Sequence, residues 1–341
     1  MRPLRFSILI FLLLGLTGMW ITPAGASSYK YKRIGNVQDI QTHADGGIAM
    51  MGGGDDLDEA FRWLCGKANG GDFLILRARG SAEYNPYVNG LCKANSVATL
   101  VIPSRQAAQQ PRVAAIIQHA EAIFIAGGDQ SRYVNFWHGT PVQESLNAHV
   151  AAGKPIGGTS AGLAVLGQFV YACLQDKPND ADLSSPEVLS DPYNKRVTVV
   201  RDFLNIPLLE NTLTDSHFAK RDRMGRLLVF LARLNEPDSK VLPSPGPNIR
   251  GIGVEQGVAV LLELDGKTTV VGKGSAYFIE LQHLSGLVEK AKPLTFGDFG
   301  VQKVAPGHTF DLKAWTGDAI QYKLSVEGGS IRSTQAGGEV Y

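Results

Sequence analysis

Ser160 stands between two glycines in Gly158-Thr159-Ser160-Ala161-Gly162, the spacing of a nucleophile elbow. A serine hydroxyl attacks a carbonyl only when it is lifted clear of the backbone and relieved of its proton. A sharp strand-to-helix turn does the lifting. It crowds the residues two before and two after, which must therefore be small. The flanking sequence supplies the parts: Pro155 to Gly158 reads as a short buried strand, and a helix is expected from Ala161 onward, with Cys173 about four turns into it. The positive end of that helix faces the place where an oxyanion would develop.

The proton acceptor is sought among seven histidines. His119 and His149 lie on helices of apolar period and read as structural or surface residues. His217 follows the polar turn Thr214-Asp215-Ser216 and precedes a helix with Leu227, Leu228, Phe230 and Leu231 facing inward. There an imidazole can point across the end of a sheet, so His217 is the expected base. Arg221, Arg223 and Arg226 crowd the first turns of the same helix. Cations at a helix N-terminus oppose its dipole, so their placement points to a bound anionic group, with a solvated basic face as the alternative.

These residues need a scaffold. Apolar runs at Gly47 to Met51, Asp72 to Arg77, Val97 to Ile102 and Ala122 to Ala126 alternate with helices begun near Asp55 and at Pro111, and with one around Val142, Leu146 and Val150. That alternation predicts an α/β fold with a mostly parallel sheet and helices on both faces, with its site at the carboxyl ends of the strands. The turns Gly127-Gly128-Asp129-Gln130 and Thr159-Ser160-Ala161 both fall there. Gln175 to Asn194 is a long polar loop carrying Asp176, Asp180, Asp182, Glu187 and Asp191. Gly251 to Leu264 and Thr268 to Val271 flank Asp265-Gly266 as a hairpin, and Pro293 to Tyr341 is a glycine-rich tail of short strands, expected as an edge extension or small β lobe.

The chain has 341 residues and a formal charge of +1, which gives no case for steering to nucleic acid. Arg2 and Arg5, the apolar run Phe6 to Leu16 and Ala24-Gly25-Ala26 read as a signal peptide cut after Ala26. The expected locations are secreted or periplasmic, with no stable membrane insertion after cleavage. Cys65 and Cys92 are available for a disulfide in an exported chain, but the sequence does not decide whether they pair. No tight His/Cys cluster marks a metal site.

Three separate motifs in order, Ile125 to Gln130, Gly157 to Gly162 and Asp215 to Arg226, resemble the cyanophycinases, of the same serine peptidase family as aspartyl dipeptidase. The resemblance spans roughly Gly46 to Phe278. It implies a three-layer fold like the class I glutamine amidotransferases over 27–290, with a β-rich extension over 291–341. It also implies hydrolysis of cyanophycin or a related acidic or isopeptide-linked polymer to β-Asp-Arg dipeptides, no cofactor, and a homodimer.

By the same resemblance Ser160 matches the nucleophile and His217 the base, while Gln130, Asp215, Arg221, Arg223 and Arg226 match a polar pocket for substrate carboxylates. The N–H groups of Gly128 and Ala161 are the expected oxyanion donors. The third triad member is a glutamate in this family. Glu187 is the choice here, with Asp182, Asp191 and Glu255 as alternatives. Ser216 departs from the family, which has Gln between this Asp and His. Two rivals share the elbow: an esterase with a late base such as His308, and a non-catalytic protein that holds an anionic peptide in the arginine pocket.

Overall fold

Strands Ile48–Met51, Ala122–Ile125 and Ile156–Thr159 are buried at every position, as expected of strands covered on both faces. The structure is a computed structural model and describes residues 29–175, 182–236 and 248–341. The signal-peptide reading of Met1 to Ala26, and the loop residues Asp176 and Asp180, lie outside the described residues.

These strands join Asp72–Arg77 and Ser96–Val101 as the five parallel central strands of a ten-stranded sheet. Lys30–Gly35 closes one side antiparallel, and Val258–Leu262 continues the other. Side chains alternate between the faces: Leu74 and Leu76 pack with Val113, Ile117, Val142 and Leu146 from helices Pro111–Gln118 and Pro141–Ala151. Phe73 and Ile75 pack on the other face with Ala60, Phe61 and Leu64 of helix Asp58–Lys67. Cys65 on that helix is bonded to Cys92, with Cα atoms 5.7 Å apart.

A second sheet of eight strands carries the remainder. At its centre Thr212–Asp215 runs parallel to Arg250–Val254 and to Phe169–Tyr171. One face, with Ile252 and Phe278, shares the core of the first sheet; the other, with Tyr277 and Ile279, is covered by helix Met224–Asn235.

One expectation changes. The helix after Ser160 covers only Ala161–Ala164, and Cys173 lies beyond strand Phe169–Tyr171. Here the chain crosses to the second sheet, and at Gly167 a Cβ would lie 2.8 Å from the Thr212 carbonyl oxygen. Of the two arrangements expected for the tail, the strands form the edge extension. Thr295–Val304, Ile320–Glu327 and Ser330–Ser333 extend the second sheet, while Thr309–Asp311 and Thr316–Gly317 edge the first.

Candidate active site

The corner at Ser160 is tight. Its φ is 54° and its ψ −115°, a conformation a non-glycine residue holds only when its surroundings impose it. The surroundings here are backbone. A Cβ at Gly162 would sit 1.9 Å from the Ile125 carbonyl oxygen, and one at Gly158 2.5 Å from the Gly162 backbone. The glycines on either side thus let strand Ile156–Thr159 and helix Ala161–Ala164 close onto each other, with Ser160 at the apex.

His217 arrives from the second sheet, just past strand Thr212–Asp215. Its backbone N–H donates to the Gly52 carbonyl at 2.7 Å, tying it to the turn after Ile48–Met51. Its Nε2 lies 2.6 Å from Ser160 Oγ. Burial, then the charges of Arg221 and Arg223, push the imidazole pKa down to about 4, against the pull of Asp215 and Asp182. The ring is therefore neutral near pH 7, with one nitrogen able to accept a proton.

The residue behind the ring is Gln256, whose amide nitrogen lies 2.6 Å from His217 Nδ1. Sequence reasoning misses it because Gln256 carries no carboxylate. Glu187 is placed elsewhere: it is the N3 residue of a capping box with Ser184 at helix Ser185–Ser190, and it pairs with Arg196 at 3.4 Å. Asp191 accepts from the Tyr193 N–H. Glu255 accepts from Tyr277 Oη at 2.6 Å and from the Ser275 N–H at 3.1 Å. None of these carboxylates bonds to His217. The available signal is adjacency: Gln256 opens the turn that follows Glu255 after strand Arg250–Val254.

The arginines divide into two kinds. Arg226 is almost wholly buried and grips Asp215 by two hydrogen bonds, while Arg223 donates to Asp215 at 3.2 Å and to the Ser216 carbonyl at 2.8 Å. Both also pair with Asp182. Burial raises the Asp182 carboxyl, but Arg226 and Arg223 together outweigh it and hold it below the ordinary carboxylate range. The anion expected from the helix-end arginines is thus supplied by the chain itself, and Arg223 and Arg226 are not open to a substrate. Arg221 differs: it is 46% exposed and 3.6 Å from Asp182. Ser216 is buried, held through its carbonyl.

Gln130 begins helix Gln130–Trp137, with its amide 3.0 Å from Cys173 Sγ and 3.4 Å from the Tyr171 carbonyl. The turn before it abuts the corner: a Cβ at Gly127 would lie 3.4 Å from Ser160 Cβ. Tyr133 Oη donates to the Ala126 carbonyl at 2.7 Å and braces that turn, which carries Gly128. Ala161 opens its helix, so its N–H has no intrahelical partner. His308 instead pairs with Asp318 in the tail. A cavity of about 260 Å³ lined by Tyr31, Arg33, Asp72, Arg112 and His119 opens where Asp72–Arg77 begins, at the opposite end of the parallel strands from Ser160.

Residues 43–189 match the model of Peptidase family S51. A cyanophycinase of Trichormus variabilis is 27% identical over 283 residues, covering 78% of this chain and 85% of its own length. A cyanophycinase of Synechococcus elongatus is 28% identical over 63% of this chain and 60% of its own. In fold, the chain resembles the crystal structure of a peptidase from an acI-B1 Actinobacterium, with a TM-score of 0.50 and 17% identity over 80% of this chain and 98% of that one. Residues 43–189 are thus similar to Peptidase family S51, and a longer part of the chain is similar to the cyanophycinases.

Proposed function

We propose that the chain is an exported serine peptidase that cleaves β-aspartyl or other acidic isopeptide bonds, cyanophycin first among its substrates. The observation that carries this reading is the 2.6 Å approach of His217 Nε2 to Ser160 Oγ at a strained strand-to-helix corner. In the proposed reaction Ser160 Oγ attacks the amide carbonyl carbon while its proton passes to His217 Nε2. The N–H groups of Ala161 and Gly128 receive the developing oxyanion, one such donor lowering the barrier by about 3 kcal/mol. His217 then hands the proton to the leaving amine, and water, deprotonated by the same imidazole, releases the acyl group.

The half-exposed Arg221 supports an acidic substrate, since Asp182 and Asp215 occupy Arg223 and Arg226. The cyanophycinase relatives support the polymer. Export is supported by the Cys65–Cys92 disulfide, which persists in oxidising compartments. The test is incubation of the protein with insoluble cyanophycin beside Ser160→Ala, with soluble products read by mass spectrometry. Release of β-Asp-Arg dipeptides by the wild type alone is expected. Equal release by both proteins would overturn the reading.

A further inference from the structure

We propose that Gln256 is the positioning residue of this site: its side-chain oxygen accepts the His217 Nδ1 proton and thereby turns an unprotonated Nε2 toward Ser160. The inference rests on the serine-peptidase reading for its consequence, but its geometry stands apart from it.

An amide differs from a carboxylate in this place. A carboxylate offers only acceptors, so it can meet Nδ1 only when that nitrogen carries the proton. An amide offers an oxygen on one side and an NH2 on the other, and a half-turn exchanges them. With the NH2 toward His217, Nδ1 becomes the acceptor, the ring proton moves to Nε2, and Ser160 faces a donor. The structure has the NH2 against Nδ1 at 2.6 Å, and a half-turn of the amide brings the oxygen there, so that Nδ1–H donates to Oε1 and the Nε2 lone pair faces the Ser160 hydroxyl at 2.6 Å. Only the second arrangement accepts a proton from Ser160.

The backbone on both sides of Gln256 is anchored, which keeps its amide against the ring. Glu255, just before it, is anchored on Tyr277 Oη and the Ser275 N–H. Gly257, just after it, donates to the Gly53 carbonyl at 3.0 Å. The turn at Gly52 to Gly54 lies against both partners: a Cβ on Gly53 would come within 2.4 Å of the His217 ring, and one on Gly54 within 3.1 Å of Gln256 Cβ. The amide and the imidazole are thus packed into one slot.

Gln256 brings no charge to the slot. The imidazolium formed when Ser160 attacks faces Arg221 and Arg223, with Asp215 and Asp182 opposing them, and the glycine turn adds no ionisable side chain. A carboxylate at position 256 would add one negative charge against Nδ1. Gln256→Glu therefore keeps the tautomer and strengthens the base, whereas Gln256→Leu keeps most of the volume and loses the tautomer.

The test combines nitrogen-15 NMR of the His217 ring with rate measurements on the folded variants. The wild type is expected to show the Nδ1–H tautomer and the Leu variant a mixture. The Leu variant should lose about 100-fold or more in kcat at little changed KM. The Glu variant should retain activity, with its acidic limb and ring titration moved up by about one unit or more. An Nε2–H tautomer in the wild type, or a Leu variant with unchanged tautomer and kcat, would overturn the assignment. The ring signals report on Gln256 even if Ser160→Ala proves as active as the wild type, an outcome that would sink the peptidase reading separately.

Discussion

Arg226 closes on Asp215 through Nε to Oδ2 at 2.8 Å and Nη2 to Oδ1 at 2.6 Å, both side chains out of solvent. Asp215 ends the strand that delivers His217 two residues later, and Arg226 lies in the first turn of helix Met224–Asn235. The pair therefore bolts the histidine-bearing loop to the helix behind it.

Breaking a buried pair by removing one partner strands the other charge, at a cost of about 3–5 kcal/mol. Arg226→Met is expected to lose that much in urea unfolding. Arg221→Met, at an exposed position, is expected to unfold within about 0.5 kcal/mol of the wild type and to raise KM for acidic substrates. An Arg226 variant of wild-type stability with a raised KM would exchange the two roles.

The pH profile follows from His217. The reacting form is the neutral ring, so kcat/KM should rise with pH through about 4 and run flat across neutrality. An acidic limb near the ordinary histidine value would show that burial and Arg221 do not act on the ring as described.

His149 makes a prediction about stability instead. It is buried, its Nε2 lies 2.9 Å from the Pro155 carbonyl oxygen, and burial pushes its pKa down to about 4. The unfolded chain binds this proton near the ordinary value of about 6.5 and the folded chain does not. Its contribution, on the order of 3 kcal/mol, is complete above the unfolded pKa and is lost as pH falls through about 4. His149→Gln should flatten that part of the curve in denaturant titrations at pH 4 to 7. An unchanged slope would remove His149 as its source.

The parts legible in the sequence are those written locally. The corner at Ser160 shows through its glycines, the parallel strands through continuous apolar runs such as Ala122–Ile125, and His217 through its polar turn. What the sequence hides depends on distant pairing. The arginines look like an anion site because Asp182 lies about forty residues away along the chain and closes on them only in three dimensions. Glu187 looks like a triad acid by order along the chain, yet its Ser184 partner makes it a helix cap. The length of the helix after Ser160 is misjudged because an apolar run of this kind serves a buried helix or a buried strand equally well.

Gly53 presents a sharper test of the packing around the imidazole. Its φ is 88°, and a Cβ there would lie 2.4 Å from His217 Cε1. Gly53→Ala should displace the ring and lower kcat by about 100-fold, the scale of a misplacement of about 1 Å. Wild-type kcat in the Ala variant would mean that the turn yields freely.

Tyr341 reaches the same loop from the tail. Its Oη accepts from the Met224 N–H at 2.8 Å and donates to Asp222 at 2.9 Å, and its ring meets those of Phe218 and Tyr277. Tyr341→Phe keeps the ring and should cost about 1 kcal/mol, with faster amide exchange in residues 217–224. Unchanged exchange there would show that the tail does not brace the loop.

In the proposed reaction Ser160 is a nucleophile activated by His217. The most direct measurement is labelling of the folded protein with a serine-directed fluorophosphonate, followed by peptide mapping. One adduct is expected on Ser160, abolished in Ser160→Ala and formed far more slowly in His217→Ala. Hydrolysis of substrate by a wild type that takes no adduct, or by Ser160→Ala at the wild-type rate, would contradict it.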